Sequence, residues 1–484
     1  MNKPLLYIPI EKLDKSKYIK QLRMIVDWFK TCQGTIIAPT GCGKTIIASI
    51  AIAKMIRWYP DKKALVVVPG IDLKEQWEGI MKMFGLSDNV EVIVINSLLL
   101  REHVECDLLI ADEYHRYPSA EFSKMFTKVK YSYILGLTAT IKRLDGLESL
   151  LLERAPIVGE ITVEEALRKG WISEMLHINV PVFITAAERK AQSELDSQIS
   201  KGTSMFGRDF KLMQNCQNLE SAKAYVAARY NYSDEDMKTK SKQLQVIALD
   251  TSRRIRTRKD FLINTRHKIE ASVRLIKELD LKTILFSEST QFASEVAQAV
   301  GPTAVEYHSN ITSREIEVDT FKICKTENAV LKLIEGLSEY QSTPFVEDGK
   351  KRWKITYKTK KALSGAVIKA QNMKSFKTGD ASVICTAKAL DVGFDDDESQ
   401  FGLEASRTSA PAQLWQRKGR VRRVFTHSDG TKKIGVYVSL YIPNTQDEKW
   451  LRASQVDMQS SVIWKDDIDE AIDLIKATLK ARRG

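Results

Sequence analysis

Cysteine is sparse in this 484-residue chain, and its six copies (Cys32, Cys42, Cys106, Cys216, Cys324, Cys385) are scattered. They form no C-x-x-C pair and no Cys/His cluster at zinc spacing, so neither a disulfide scaffold nor a structural zinc is supported. A reducing, intracellular compartment, the cytoplasm, is expected. No stretch approaches ~18 consecutive apolar residues, so no membrane span is expected. The N-terminus, MNKPLLYIPIEKLDK, lacks an apolar core followed by a small-residue cleavage site and does not read as a secretory signal. Low-complexity tracts and repeats of solenoid period are absent as well.

What is present is the composition of a soluble globular protein, 43% hydrophobic and 28% charged. The length suits about three domains. Net charge is +12 and uneven: residues 1–180 hold 24 basic and 22 acidic side chains, so the remainder carries nearly all of the excess. Residues 350–374 hold nine Lys or Arg and no acid. A field of that sign suits a polyanionic partner, most often nucleic acid, or serves as a solubilising surface.

The first 180 residues alternate short apolar runs with amphipathic stretches. GTIIA (34–38), ALVVV (64–68), VIVI (92–95), DLLIA (107–111) and YILGL (133–137) read as buried strands. Residues 44–58 and 72–84 have helical spacing. The alternation predicts a parallel sheet with helices on both faces. Polar or Gly-containing sequence follows each run, where ligands bind in such sheets. Residues 181–280 read as a mainly helical connector. A second alternating section, 281–484, has strand-like runs at TILF (283–286), TAVEY (303–307), SVIC (382–385) and GVYVSLY (435–441). About 323–372 look inserted into it, between helical stretches ending at Phe321-Lys322 and Phe376-Lys377. Within the insert, Asp348-Gly349 signals a turn, and Trp353, Ile355 and Tyr357 alternate with polar residues, which predicts a basic β-hairpin.

Three segments carry chemistry. APTGCGKT (38–45) follows a strand and precedes a helix. The loop Thr40, Gly41, Cys42, Gly43 can cradle phosphates with backbone N–H groups, Lys44 adds a cation at the β- and γ-phosphates, and Thr45 offers a hydroxyl to Mg²⁺. Ala38 stands where the general pattern has its first Gly. DEYH (112–115) supplies Asp112 for Mg²⁺ and Glu113 to orient and deprotonate a water. In QLWQRKGRVRR (413–423), Gln416, Arg420 and Arg423 share one helical face. Guanidinium groups there can stabilise a transferring γ-phosphoryl, worth ~10³–10⁵ in rate. A basic nucleic-acid-binding helix is the other reading, and the acceptor site on the first domain favours the first.

In order, the chain carries Gln21, APTGCGKT, VVPGIDLKEQW (67–77), DEYH, TAT (138–140), LFSEST (285–290), TAKALDVGFD (386–395) and QRKGRVRR. This order resembles the superfamily 2 DExH-box helicases and translocases, which implies two RecA-like domains closing on ATP. TATIKRLDG (138–146) and TVEEALRKGWISE (162–174) look like the XPB, type III restriction and phage UvsW-like branch, with Leu144 between Arg143 and Asp145 where XPB-type enzymes have Glu. The resemblance implies that Gln21 reads adenine with Tyr18 as a stacking partner, that Asp395 lies near the ribose, and that His115, Thr138, Thr140, Arg143 and Asp145 couple hydrolysis to movement. It places Pro69, Asn96, Ser287, His308 and Thr386 in segments facing a nucleic-acid backbone.

The expected function is an ATP- and Mg²⁺-dependent DNA helicase or branch-migration motor, monomeric, for replication, recombination or repair. An RNA helicase and the motor subunit of a restriction complex are the alternatives. In the insert, Arg352, Trp353, Lys354 and Tyr357 are expected to contact DNA by stacking and charge, or else to form a stabilising surface hairpin.

Overall fold

In this computed structural model the described residues are 14–141, 146–230, 232–335, 337, 339–387, 396–408, 411–455 and 462–482. The first domain contains β1 (Gln33–Ile37), β2 (Ala64–Val68), β3 (Val90–Val94), β4 (Val104–Glu105), β5 (Leu108–Asp112), β6 (Val129–Lys130), β7 (Tyr133–Thr138) and β8 (Ile157–Glu160). Six of these form one sheet in the order β3-β2-β5-β7-β1-β8, parallel at every pair. β4 and β6 pair separately.

Every residue of β2 and β5 is buried. A sheet covered on both faces requires such unbroken Val/Leu/Ile runs. One face packs Met24 and Trp28 from helix Lys15–Phe29, Ile50 from helix Lys44–Trp58 and Trp77 from helix Ile71–Met83. The other packs Leu98, Tyr114, Tyr117 and Met125.

The second domain begins with β9 (Met175–Pro181), β10 (Thr283–Ser287) and β11 (Ala304–His308). An antiparallel sheet of β12 (Arg314–Cys324), β13 (Tyr340–Glu347) and β14 (Lys350–Leu363) follows, ordered β12-β14-β13. The domain closes with β15 (Val383–Ala387), β16 (Phe401–Glu404), β17 (Gly435–Tyr441) and β18 (Ile463–Trp464). Its main sheet runs β11-β15-β10-β16-β17-β9-β18, again parallel throughout. The architecture is thus α/β with two RecA-like domains.

Three boundaries differ from the sequence reading. β9 pairs with β17 along seven residues, Met175 to Pro181, so the second domain already begins before residue 180. Its partner lies some 260 residues away, and no local pattern marks the join. The region after β9 is helical (Ala186–Ser204, Phe210–Asn215, Leu219–Ala227, Asp234–Asn264, Arg266–Leu279). Thr185 and Glu188 form a reciprocal capping box, and Ser233 caps the 31-residue helix. Phe206, Met213, Val226, Leu244 and Ala248 give these helices a small core of their own. The last helix, however, buries Leu275 and Ile276 in the second domain's core.

The insert also starts earlier and ends sooner than expected. Phe321-Lys322 lies inside β12, which pairs with β14 from Arg314↔Leu363 to Cys324↔Trp353, rather than at a helix end. Helix Gly365–Thr378, partly counted in the insert, buries Ile368 and Phe376 in the domain. The Asp348-Gly349 turn is present with φ of 52° and 71°, the paired positive values a type I′ hairpin turn demands. Among the described residues no helix is long and apolar enough to cross a membrane.

Candidate nucleotide cleft

The loop between β1 and helix Lys44–Trp58 turns through Gly41 and Gly43, at φ 91° and 77°. Both lie where a side chain would be strained, and a Cβ at Gly43 would meet the Gln21 amide at 2.8 Å. The loop's carbonyls are held from helix Lys15–Phe29. Gln21 Nε2 donates to the Cys42 carbonyl at 2.9 Å, and Lys17 Nζ donates to that of Gly41 at 2.6 Å. The helix start beyond Gly43 favours an anion. Beside the loop, Tyr18, Gln21, Gly170, Trp171, Asp397 and Arg423 line a cavity of about 520 Å³.

Asp112 ends β5 and is buried. Trp77 Nε1 donates to its Oδ2 at 2.8 Å, and the Glu113 N–H donates to Oδ1 at 2.9 Å. Glu113 has left-handed backbone (φ 51°, ψ 50°), a strained conformation for a non-glycine residue. Burial, reinforced by the Glu113 charge, pushes the Asp112 carboxyl up. Burial also works against ionised Glu113, but Lys44, His115, Gln416 and Arg420 outweigh it and hold that carboxyl down. Asp112 is therefore a buried carboxyl facing the cleft. Thr45 lines the same cleft, so a divalent cation fits this donor set.

Behind Glu113, His115 Nδ1 lies 2.9 Å from Thr138 Oγ1. The Thr138 hydroxyl donates to the Thr140 carbonyl at 2.5 Å, which leaves His115 Nδ1 as the donor to Thr138. Glu113 Oε2 is 3.6 Å from the same nitrogen. A short polar chain thus joins the end of β5 to the end of β7.

The second domain faces this site with helix Pro411–Val421. Gln416 Nε2 donates across the domain boundary to Glu113 Oε2 at 3.1 Å. Gln416, Arg420 and Arg423 line, with Lys44, Thr45, Asp112 and Glu113, one cleft of about 300 Å³. Gly419 comes so near the phosphate loop that a Cβ there would lie 2.4 Å from Thr40 Cβ. Arg423 borders both cavities, faces Asp397 at 3.4 Å and is drawn down to about 10 by burial.

Sequence reasoning missed the groups that hold these residues. Arg417 is fully buried and donates to Glu288 Oε1 (2.7 Å), Glu404 Oε1 (3.3 Å) and the Ser406 carbonyl (3.0 Å). It anchors the Gln416–Arg420 turn from behind. Within a basic run it looks like any surface arginine. Trp77 was more accessible, because Leu73, Trp77 and Met81 recur every four residues and mark the buried face of their helix.

Other expected residues fall elsewhere. Asp395, Arg143 and Asp145 lie outside the described residues. Pro69 is half-buried and Asn96 exposed, at the ends of β2 and β3. Ser287, His308 and Thr386 are buried. Ser287 Oγ bonds Ser406 Oγ (3.2 Å), and His308 Nε2 lies 3.0 Å from both Glu306 Oε2 and Ser294 Oγ. Thr386 sits mid-sheet between β10 and β11. The Ser287–Ser406 bond ties the end of β10 to the segment after β16. Arg352, Trp353, Lys354 and Tyr357 lie on β14, apart from the cleft.

The chain is similar to several known proteins. Residues 14–104 and 93–143 match the family model described as type III restriction enzyme, res subunit. The DNA 3'-5' translocase XPB2 of Sulfurisphaera tokodaii is 28% identical over 329 residues, which are 64% of this chain and 69% of that protein. A putative ATP-dependent RNA helicase of African swine fever virus is 29% identical over 169 residues, 30% of this chain and 32% of its own length. The solved helicase domain of Hef from Pyrococcus furiosus aligns with 93% of this chain and all of its own at 13% identity and a TM-score of 0.49. The class that this chain resembles is that of the ATP-dependent helicases. Within it, the chain is similar to the XPB translocases and the type III restriction subunits.

Proposed function

We propose that this protein is a DNA motor that uses ATP hydrolysis to move along and remodel branched or forked DNA. The observation that carries the reading is the divided cleft: Lys44, Asp112 and Glu113 on one domain, Gln416, Arg420 and Arg423 on the other, joined by the Gln416–Glu113 bond. Lys44 and the loop Thr40–Gly43 hold the triphosphate. Thr45 and Asp112 hold Mg²⁺, which supplies positive charge to the phosphate oxygens. Glu113, kept ionised, orients and deprotonates water. Arg420 and Arg423 stabilise the developing charge only when the domains are closed. Gln21 and Tyr18 receive the base, and Asp395 the ribose.

Hydrolysis then couples to opening through Glu113, His115, Thr138 and Thr140, with Arg143 and Asp145 nearby in sequence. Each opening and closing shifts the loops at the strand ends, Pro69 and Asn96 among them, along a phosphate backbone. Such contacts are sequence-independent and salt-sensitive. DNA is favoured as the track because the relative matched over most of its length is a DNA translocase. RNA is the second reading, favoured by the viral relative matched over 30% of this chain.

Steady-state ATPase with no nucleic acid, single-stranded DNA, duplex, a four-way junction and RNA tests the reading, with Lys44→Ala as the blank. Stimulation by forked or four-way DNA is expected. Stimulation by RNA alone overturns the choice of track.

A further inference from the structure

The insert is an arm. β14 is 14 residues long, roughly 45 Å at the rise of an antiparallel strand. Its root is tightly packed, because a Cβ on Gly365 would lie 1.9 Å from the Ile311 carbonyl oxygen. The root follows the end of β11, on the edge of the sheet where ligands bind in parallel folds. There Tyr307 donates to Asp72 of the first domain at 3.2 Å, so the arm springs from beside the Pro69–Gly70 loop.

The two faces of the arm differ. Ile355 is fully buried and Cys324 nearly so, and Trp353 and Tyr357 share their face, opposite Cys324 and Thr320 in the register. On that side Trp353 and Tyr357 are half-buried, and Tyr340, opposite Tyr357, is exposed. The other face carries Phe321, 60% exposed, and Ile323, 44% exposed. Lys354 sits opposite Ile323, with its Nζ 4.6 Å from the Phe321 ring centroid. Lys354 stands opposite Ile323 and Thr343 in the register, so a positive charge lies beside the exposed ring.

We propose that this outer face, centred on Phe321 and Lys354, binds single-stranded DNA leaving the two motor domains, with Phe321 stacked on a base and Lys354 at a phosphate. The proposal rests on the DNA-motor reading. An aromatic ring beside a cation is the sequence-tolerant pairing that single strands require, and a phosphate contact adds to the salt dependence.

The test is fluorescence anisotropy of labelled oligo-dT with the full chain over a range of salt, beside DNA-stimulated ATPase. Phe321→Ala should weaken binding about tenfold. Lys354→Ala should lower the salt slope by about one. Tyr340→Ala, exposed on the opposite face, should bind and hydrolyse ATP as wild type. If the Phe321→Ala/Lys354→Ala double variant binds with wild-type affinity and slope, the proposal is overturned and the face is left to a protein partner. A wild-type protein that oligo-dT neither binds nor stimulates fails the motor reading instead, and the proposal with it.

Discussion

Gly419 offers a test in which stability and activity should move apart. It lies inside helix Pro411–Val421, where alanine is favoured over glycine by about 1 kcal/mol. A Cβ there would lie 2.4 Å from Thr40 Cβ and 2.7 Å from its hydroxyl. Carbon atoms settle at about 3.5–4.0 Å, so the arginine helix must retreat by roughly 1 Å from the phosphate loop. Opening the cleft relieves the clash without disturbing either core. A displacement of that size at reacting groups costs about 100-fold in rate. Gly419→Ala should therefore lower kcat for ATP by about 100-fold while the urea midpoint stays level or rises. Gly79→Ala is the matched control, since Gly79 lies in helix Ile71–Met83 and a Cβ there meets nothing within 4 Å. It should gain helical stability and keep full activity. A Gly419→Ala enzyme within a few-fold of wild type would refute the idea that hydrolysis needs this close approach.

Two further outcomes rest on paired charges. A hydrogen bond from His308, with help from Ser294 and Arg314 against the cost of burial, holds Glu306 down to about 2. A carboxyl depressed in the folded state stabilises above its ordinary value near 4.5 and loses that contribution as pH falls toward about 2. Glu306→Gln should accordingly show a smaller fall in urea midpoint between about pH 5 and about pH 3 than wild type; equal falls would exclude Glu306 as a source of acid sensitivity. Lys268 and Asp447 form an ion pair at 2.6 Å with side-chain exposures of 0% and 2%. Lys268→Met leaves the carboxylate buried beside a neutral chain, and about 3–5 kcal/mol of unfolding free energy should be lost. A loss under about 1 kcal/mol would mean that Arg407, 3.7 Å from Asp447, compensates.

The proposed nucleotide site can be read from the sequence because its chemistry needs neighbours in sequence. A phosphate loop must follow a strand and open a helix, so Gly41, Gly43, Lys44 and Thr45 announce themselves within eight residues. Asp112 and Glu113 do so at the end of an apolar run. Strands read well for the same reason: double-sided burial writes itself as continuous Val, Ile and Leu. The misplaced features all depend on partners remote in the chain. β9 belongs to the second sheet only through β17. Phe321 is a strand residue only because β14 lies beside it. The burial of Ser287 likewise depends on Ser406, 119 positions away.

Arg417 shows the same limit inside the site itself. Gln416, Arg417, Lys418 and Arg420 form one basic run, and helical spacing alone separates them by face. Gln416 and Arg420 reach the cleft, whereas Arg417 turns back into Glu288 and Glu404, which follow β10 and end β16. Buried between two carboxylates, its charge is compensated, and the turn carrying Gln416 and Arg420 is fixed to the sheet. Spacing could propose which side chains face ATP. Which arginine holds the others in place is decided by carboxylates 129 and 13 positions earlier in the chain.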